Sequence, residues 1–422
     1  MKAAPTFDRF SPAFVSNLSR MRLNDRKRRS VQHFRHWFNV AGRKQIGRGK
    51  SPAQLHRRAE LEGPMNTAER PGGDMVDWIA VLVERATGVA ARRISVEARA
   101  GHASVRRYWR ARWDDGAPSS ALVMVLPPGT PPEEIGKGGP TGPAPFVDVQ
   151  RYLAGIGVRV PRIFDWSQEE GFVVLEDLGD DMMVSRLAAG DAPEPLYLAA
   201  VDQLARMRVA AEAAPDPDCI AFQRRYDHDV YRWELEHFLE WGVAAWKGAV
   251  MSGPEQRLVG RCFDELARRL AGEPGGFTHR DYQSRNIMVL RGGEQALIDF
   301  QDALLGPRQY DLVSLLRDSY VTLDQDMIGR MVDRYRAATA AAGGPEIDGG
   351  KFREVFDLLT IQRKLKDAGR FIYIHRVKSN ADFLQFVPVA LRYVREAFDR
   401  LPAMADLQAV LSRYVPDVGP QA

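Results

Sequence analysis

Cysteine is almost missing from this chain: 422 residues contain only Cys219 and Cys262. Two thiols exclude a disulfide framework and a Cys-rich metal site. They fit a reducing compartment, so the cytoplasm is the expected location. Long apolar runs are missing as well. No stretch approaches the ~20 residues that a membrane-spanning helix requires, and the N-terminus lacks the apolar core of a secretory signal. No tandem repeat is visible. What remains is 45% hydrophobic and 27% charged, the balance of a soluble globular protein, and longer than one ordinary domain.

The net charge of +4 conceals an uneven distribution. Residues 1–70 hold 16 Lys and Arg against 5 Asp and Glu, a balance of +11, so the remainder carries −7. Aromatic residues interleave with the basic ones in "RMRLNDRKRRSVQHFRHWF". Such an arm can meet nucleic acid or an anionic surface. The simpler expectation is a disordered tail, or sequence upstream of a start at Met65 or Met75. From Asp74 the text changes. "DMVDWIAVLVERATG" has helical apolar spacing and a Gly stop. "RRISVEARA", "SVRRYWRARW" and "SSALVMVLPPG" read as strands, residues 127–145 as a Pro/Gly loop, and "FVDVQRYLAGIG" as a helix. "VPRIFDWSQEEGFVVLEDLGD" is a hairpin running into a polar connector. Residues 195–272 and those after about 300 are helical in pattern. The expectation is an α+β chain: a small β-rich lobe over 75–180 and a larger helical lobe over 181–415.

Between the two helical stretches of the larger lobe lies "FTHRDYQSRNIM". Its core, "HRDYQSRN", fits H-R-D-x4-N, the pattern of a kinase catalytic loop. "NIMVL", "RGGEQ" and "ALIDF" follow, a hairpin turned at Gly-Gly. Antiparallel pairing puts Asn286, at the start of the first strand, beside Asp299, at the end of the second. An amide oxygen and a carboxylate at one edge suit Mg²⁺, which takes hard oxygen ligands and keeps waters and phosphates. Asp281 then orients the attacking hydroxyl and accepts its proton. His279 is expected to be structural, without a companion His at ligand spacing.

With "LIDFQDALLGPRQYDLVSLLRDSY", "IQRKLKDAGRF", "GHASVRRYWR", "GVRVPRIFDW" and "YDHDVYRWELEHFLEW", these stretches resemble the aminoglycoside-phosphotransferase-like kinases. Within them the chain is most similar to bacterial kinases of cell-wall sugars. The resemblance covers roughly residues 75–400. It implies a two-lobed protein-kinase-like fold, ATP and Mg²⁺, and a small acceptor: the anomeric hydroxyl of N-acetylmuramate or N-acetylglucosamine. "GHASVRRY" stands where kinases carry a Gly-rich loop. With one glycine, backbone cradling is partial, and Ser104, Arg106 and Arg107 become candidate phosphate donors. Alternation along a strand allows at most one of the two arginines to face ATP. Glu176, Asp177 and Leu178 would form the adenine hinge, by backbone position more than by side chain. Met124 occupies the place of the usual third-strand lysine, and the next helix has no glutamate to pair with one. An arginine of the phosphate loop is the expected replacement; Lys137 is another candidate.

Only 11 residues separate Asp299 from Asp311, too few to build a peptide platform, so the acceptor is small. The helical lobe must then grip it. "YRWELEHFLEW" offers Glu234, Glu236, Glu240, Trp233 and Trp241; near the loop, Gln283, Arg285 and Asp302 are further candidates. The basic run Gln362–Lys366 could meet an acidic sugar or form a solvated face. Asp311 is expected to cap a helix or brace the catalytic loop. The partners expected are ATP and a sugar, with the chain a monomer. The rival readings are an aminoglycoside kinase, an ATP-binding pseudokinase, and a nucleic-acid binder working through the arm.

Overall fold

The computed structural model describes residues 75–99, 106–114, 118–126 and 144–420. The expectations for residues 1–70, Ser104 and Lys137 fall outside this range. The first described part is a five-stranded antiparallel sheet: β1 (Ser95–Arg99), β2 (Arg107–Arg112), β3 (Ser120–Val125), β4 (Ile163–Ser167) and β5 (Phe172–Glu176), in the order β1-β2-β3-β5-β4. Alternation sorts its side chains onto two faces. Trp109, Ala111, Val123, Phe172 and Val174 pack under helix α1 (Met75–Thr87), which contributes Ile79, Leu82 and Val83. Met124, Val173 and Leu175 point the other way, into the core shared with the helices. Gly88, at φ +77°, ends α1, a left-handed conformation that glycine adopts without steric cost.

The helices are α2 (Ala144–Gly155), α3 (Met183–Ala188), α4 (Pro193–Ala213), α5 (Ile220–Gln223), α6 (His228–Phe238), α7 (Gly253–Ala271), α8 (Tyr310–Leu316), α9 (Gln325–Ala341), α10 (Gly349–Lys378), α11 (Val387–Arg400) and α12 (Ala405–Tyr414). α6 runs on into a π-helical turn, Leu239–Ala245. α10 has 30 residues, about 45 Å at 1.5 Å per residue, and packs against α6, α8 and α11. Polar side chains sit on its buried surface, including Gln362, Arg363, Lys364 and Lys366. It crosses α6 closely: a Cβ at Gly369 would lie 2.9 Å from the Phe238 Cα.

The expected hairpin is β7 (Ile287–Val289) with β8 (Gln295–Leu297), turned at Gly292 and Gly293, both left-handed. A second pair escaped the sequence reading: β6 (Gly275–Thr278) with β9 (Leu304–Pro307). It clasps the polar loop before the hairpin and the segment after it. Asn286 does not itself open β7 but closes a 3₁₀ turn, Ser284–Asn286, and Asp299 lies just past β8. They still share one edge, because Ile287 pairs with Leu297 and the Ile298 N–H donates to the Asn286 carbonyl at 3.0 Å.

Candidate active site

The loop between β6 and β7 is folded tightly on itself. The Gln283 N–H donates to the Asp281 carbonyl at 3.0 Å and the Asn286 N–H to the Gln283 carbonyl at 2.8 Å. Asn286 Nδ2 closes the ring by donating to the Asp281 carbonyl at 2.9 Å. Since Nδ2 is the donor there, Asn286 Oδ1 is left as an acceptor for other uses. Tyr282 and Ser284 point inward. Tyr282 donates to the Ala200 carbonyl at 2.8 Å, and the Ser284 N–H and hydroxyl both donate to buried Asp318. Gln283 and Arg285 remain half-buried on the outer side.

Asp311 braces this loop from below. Its carboxylate accepts the N–H of His279 at 2.7 Å and of Arg280 at 2.9 Å. The bracing was expected; a cap on its own helix is not its role, since α8 has no side-chain cap. Arg280 needs the brace, because it sits at φ +79°, a conformation that costs a non-glycine residue of order 1–3 kcal/mol. His279 is buried, donates through Nε2 to the Ile298 carbonyl at 3.1 Å, and stacks edge-on to Tyr282. Burial lowers its pKa, as suits a neutral structural histidine.

Asp281 is held at the mouth of the loop. Arg363 Nη2 donates to its Oδ1 at 3.1 Å, while Arg363 Nη1 reaches the Arg280 carbonyl at 2.8 Å and the Tyr310 hydroxyl at 2.9 Å. Burial alone would push the Asp281 carboxyl up. The charges of Arg363, Lys366 and Arg280 outweigh it and hold the carboxyl well below its ordinary range. The run Gln362–Lys366 is thus neither a solvated face nor a row of open sugar contacts. Gln362, Arg363, Lys364 and Leu365 are buried, and their polar ends are spent inside: Gln362 on Glu234, Lys364 on Asp367 and Ser319.

Glu234 itself corrects an expectation. It is fully buried, accepts from Gln362 at 2.6 Å and pairs with Arg280 at 3.5 Å, so it holds the loop's arginine and is closed to an acceptor. Trp241 lies on the π-helical turn, edge-on to Tyr373 at 5.0 Å, as part of an aromatic seam between that turn and α10.

Across the hairpin, Asp299 has φ +63°, again a conformation that a non-glycine residue adopts only under strain. Its Oδ1 accepts from Gln301 Nε2 at 2.9 Å and faces Arg106 Nη1 at 3.4 Å. Burial pushes its carboxyl up despite Arg106 beside it, and Asp281 and Asp302 push the same way. Asp302 shares the Gln301 amide at 3.2 Å. A carboxylate in such a place gains from a cation. Among the described residues no cluster of three or more His, Cys, Asp or Glu is placed to hold a metal. Asn286 Oδ1 and Asp299 lie along one edge of the hairpin and could serve as two oxygen ligands for a cation such as Mg²⁺, which otherwise keeps waters and phosphates.

The sheet closes the other side. Arg106 shares the parity of Tyr108 and Arg110 and faces the cleft, whereas Arg107 is exposed on the side of Trp109. Tyr108 pairs across the sheet with buried Met124, so an apolar side chain occupies the third-strand position. Arg110 went unremarked in the sequence. It is buried on β2 and binds Asp177, the Gly179 carbonyl and Asp180, which ties the connector to the sheet. Asp177 is spent in that tie, and Glu176 is clamped by Arg159 through both oxygens at 2.6 and 2.9 Å. The side chains of Glu176 and Asp177 are therefore structural.

Residues 95–352 match the phosphotransferase enzyme family. A curated N-acetylmuramate/N-acetylglucosamine kinase from Neisseria meningitidis serogroup B is 32% identical over 322 residues, which cover 75% of this chain and 90% of that protein. A protein of the same name from Pseudomonas aeruginosa is 35% identical over 311 residues, covering 74% and 86%. A solved choline kinase from Cryptosporidium parvum Iowa II shares the fold with a TM-score of 0.53 at 11% identity, covering 79% of this chain and 97% of that one. The β-rich sheet, the helical remainder and the kinase neighbour bear out the two-lobed kinase-like architecture. The chain belongs to the phosphotransferase enzyme family.

Proposed function

We propose that this protein is an ATP-dependent sugar kinase that phosphorylates the anomeric hydroxyl of N-acetylmuramate and N-acetylglucosamine. It would act in the cytoplasm, as a monomer, in recycling of cell-wall sugars. The observation that carries the reading is Asp281: an ionised carboxylate at a braced loop, one turn from the Asn286–Asp299 edge, in a chain whose curated relatives are named for this activity.

Phosphoryl transfer asks the protein mainly for positioning and charge neutralisation. Asp281 accepts a hydrogen bond from the acceptor hydroxyl and takes its proton as the new O–P bond forms and the bond to ADP breaks. So strongly stabilised an anion is a weak base. Its main work is to orient the hydroxyl, and the acidity of a hemiacetal hydroxyl, greater than that of an ordinary alcohol, suits it. Asn286 Oδ1 and Asp299 would hold Mg²⁺, which neutralises phosphate charge when bound. Arg106, now on Asp299, is in place to serve the phosphates that the missing strand lysine would otherwise meet. Backbone groups of Glu176 to Leu178 receive adenine. Arg285, which pairs with no carboxylate among the described residues, disfavours a polycationic aminoglycoside.

The test is an acceptor panel with ATP, followed by ADP release. Turnover of the two N-acetylated sugars is expected. Turnover confined to aminoglycosides would overturn the reading.

A further inference from the structure

Every cation near Asp281 on α10 has an internal task. Arg363 holds Asp281 itself, Lys364 holds Asp367, and Lys366 stands 3.8 Å from Asp367. In the loop, Arg280 is buried against Glu234. Arg285 differs. It is half-buried, on the outer side of the same loop, one residue before Asn286. Among the described residues no carboxylate pairs with it. Its guanidinium lies 3.5 Å from the centroid of the Tyr320 ring and 5.4 Å from that of Phe386. Those rings are edge-on to each other at 4.7 Å, and Phe371 and Phe383 back them. Tyr320 is fixed in turn, its N–H donating to Asp318 at 3.0 Å, the residue that also holds Ser284. Arg285 therefore stands on the short loop that runs from Asp281 to Asn286, with Tyr320 and Phe386 as the wall behind its guanidinium.

A guanidinium stacked face-on uses its π surface and keeps its N–H donors in the plane, free at the edge. That edge matches a carboxylate, two parallel N–H···O bonds to two oxygens. Stacking also fixes the side chain in advance, so less entropy is lost on binding. A half-buried cation on a catalytic loop without an internal counter-ion is an incomplete pair.

We infer that Arg285, presented on the Tyr320–Phe386 wall, is the carboxylate subsite of the acceptor pocket: it recognises an acidic sugar by its carboxyl group. This rests on the sugar-kinase reading above and adds to it the source of preference between acceptors. N-acetylmuramate carries a carboxylate and N-acetylglucosamine none, so only the first completes the pair. Loss of a charge-assisted bond pair of this kind corresponds to about 10- to 100-fold in kcat/KM.

The test compares kcat and KM for N-acetylmuramate, its methyl ester and N-acetylglucosamine in the wild type, Arg285→Met and Arg285→Lys. Expected is a wild-type preference for the free acid over its ester. In Arg285→Met the ratio of kcat/KM for N-acetylmuramate to that for N-acetylglucosamine falls about 10- to 100-fold, mainly through KM. Arg285→Lys, which keeps the charge without the fork, recovers part of it. Equal losses on all three sugars, or an unchanged ratio in a variant that melts like the wild type, would overturn the subsite while leaving the kinase reading intact. A wild type that turns over none of the three would overturn both.

Discussion

Arg363→Met removes the charge that holds Asp281 and keeps most of the side chain's volume. Arg363 is 2% exposed and makes three bonds, to Asp281, the Arg280 carbonyl and the Tyr310 hydroxyl. Truncating one member of a fully buried ion pair typically costs about 3–5 kcal/mol, an upper bound here because the Asp281 side chain is 29% exposed. Lys366 and Arg280 still act on Asp281, so the lower end of that range applies. Catalysis suffers twice. A loosened carboxylate misplaces the acceptor, worth on the order of 10²-fold in kcat. With Arg363 gone, burial is less opposed and the Asp281 carboxyl moves up, so the acid limb of the kcat/KM profile moves to higher pH. The stability curve carries the matching sign. A carboxyl whose folded-state pKa lies below its unfolded value of about 3.9 stabilises the fold fully above that value and loses the contribution as pH falls through the folded one. Wild-type stability should therefore drop with acid below about pH 4, and the variant should show a smaller drop, since Lys366 and Arg280 still hold part of the Asp281 shift. The assay is kcat/KM against pH beside denaturant midpoints against pH. A folded variant whose acid limb stays at the wild-type position would refute the reasoning.

Two further changes test the frame and the chemistry separately. Gly369→Ala gains about 1 kcal/mol of helix propensity but sets a Cβ 2.9 Å from the Phe238 Cα, backbone that cannot step aside; overpacking of this kind costs about 1–3 kcal/mol, so a lower denaturant midpoint is expected, and an unchanged or raised one would contradict the close α6–α10 crossing. Asp281→Asn and Asp299→Asn should each lower kcat by at least about 10³-fold while melting within a few degrees of the wild type, and near-wild-type turnover in either would remove that residue from the site.

The polar loop and the hairpin after it were legible in the sequence because their pattern is local. "HRDYQSRN" and "LIDF" fix their own spacing, and a hairpin between them has only one way to bring Asn286 and Asp299 together. The strand parity that separates Arg106 from Arg107 was legible for the same reason. What stayed hidden were pairings across long stretches of chain. "QRKLK" has the composition of a surface, yet α10 buries it, because each polar end meets a partner far away: Arg363 meets Asp281 and Gln362 meets Glu234. Charges inside a protein are tolerated when paired, and the pairing is not visible until the helices are packed. Glu234 looked like a sugar ligand for the same reason. Strands β6 and β9 are four residues each, too short to show an alternation. Arg110, on a strand of "RYWRAR", gave no sign that it would tie down the Asp177–Asp180 connector.

The central claim is that Asp281 delivers a sugar's anomeric hydroxyl to ATP. The most direct measurement is the position of the phosphate in the product formed from N-acetylmuramate and ATP, read by phosphorus and carbon NMR. Phosphate on C1, with coupling to the anomeric carbon and none to C6, is the result predicted. Phosphate on C6 or C4, or no sugar phosphate at all, would contradict it.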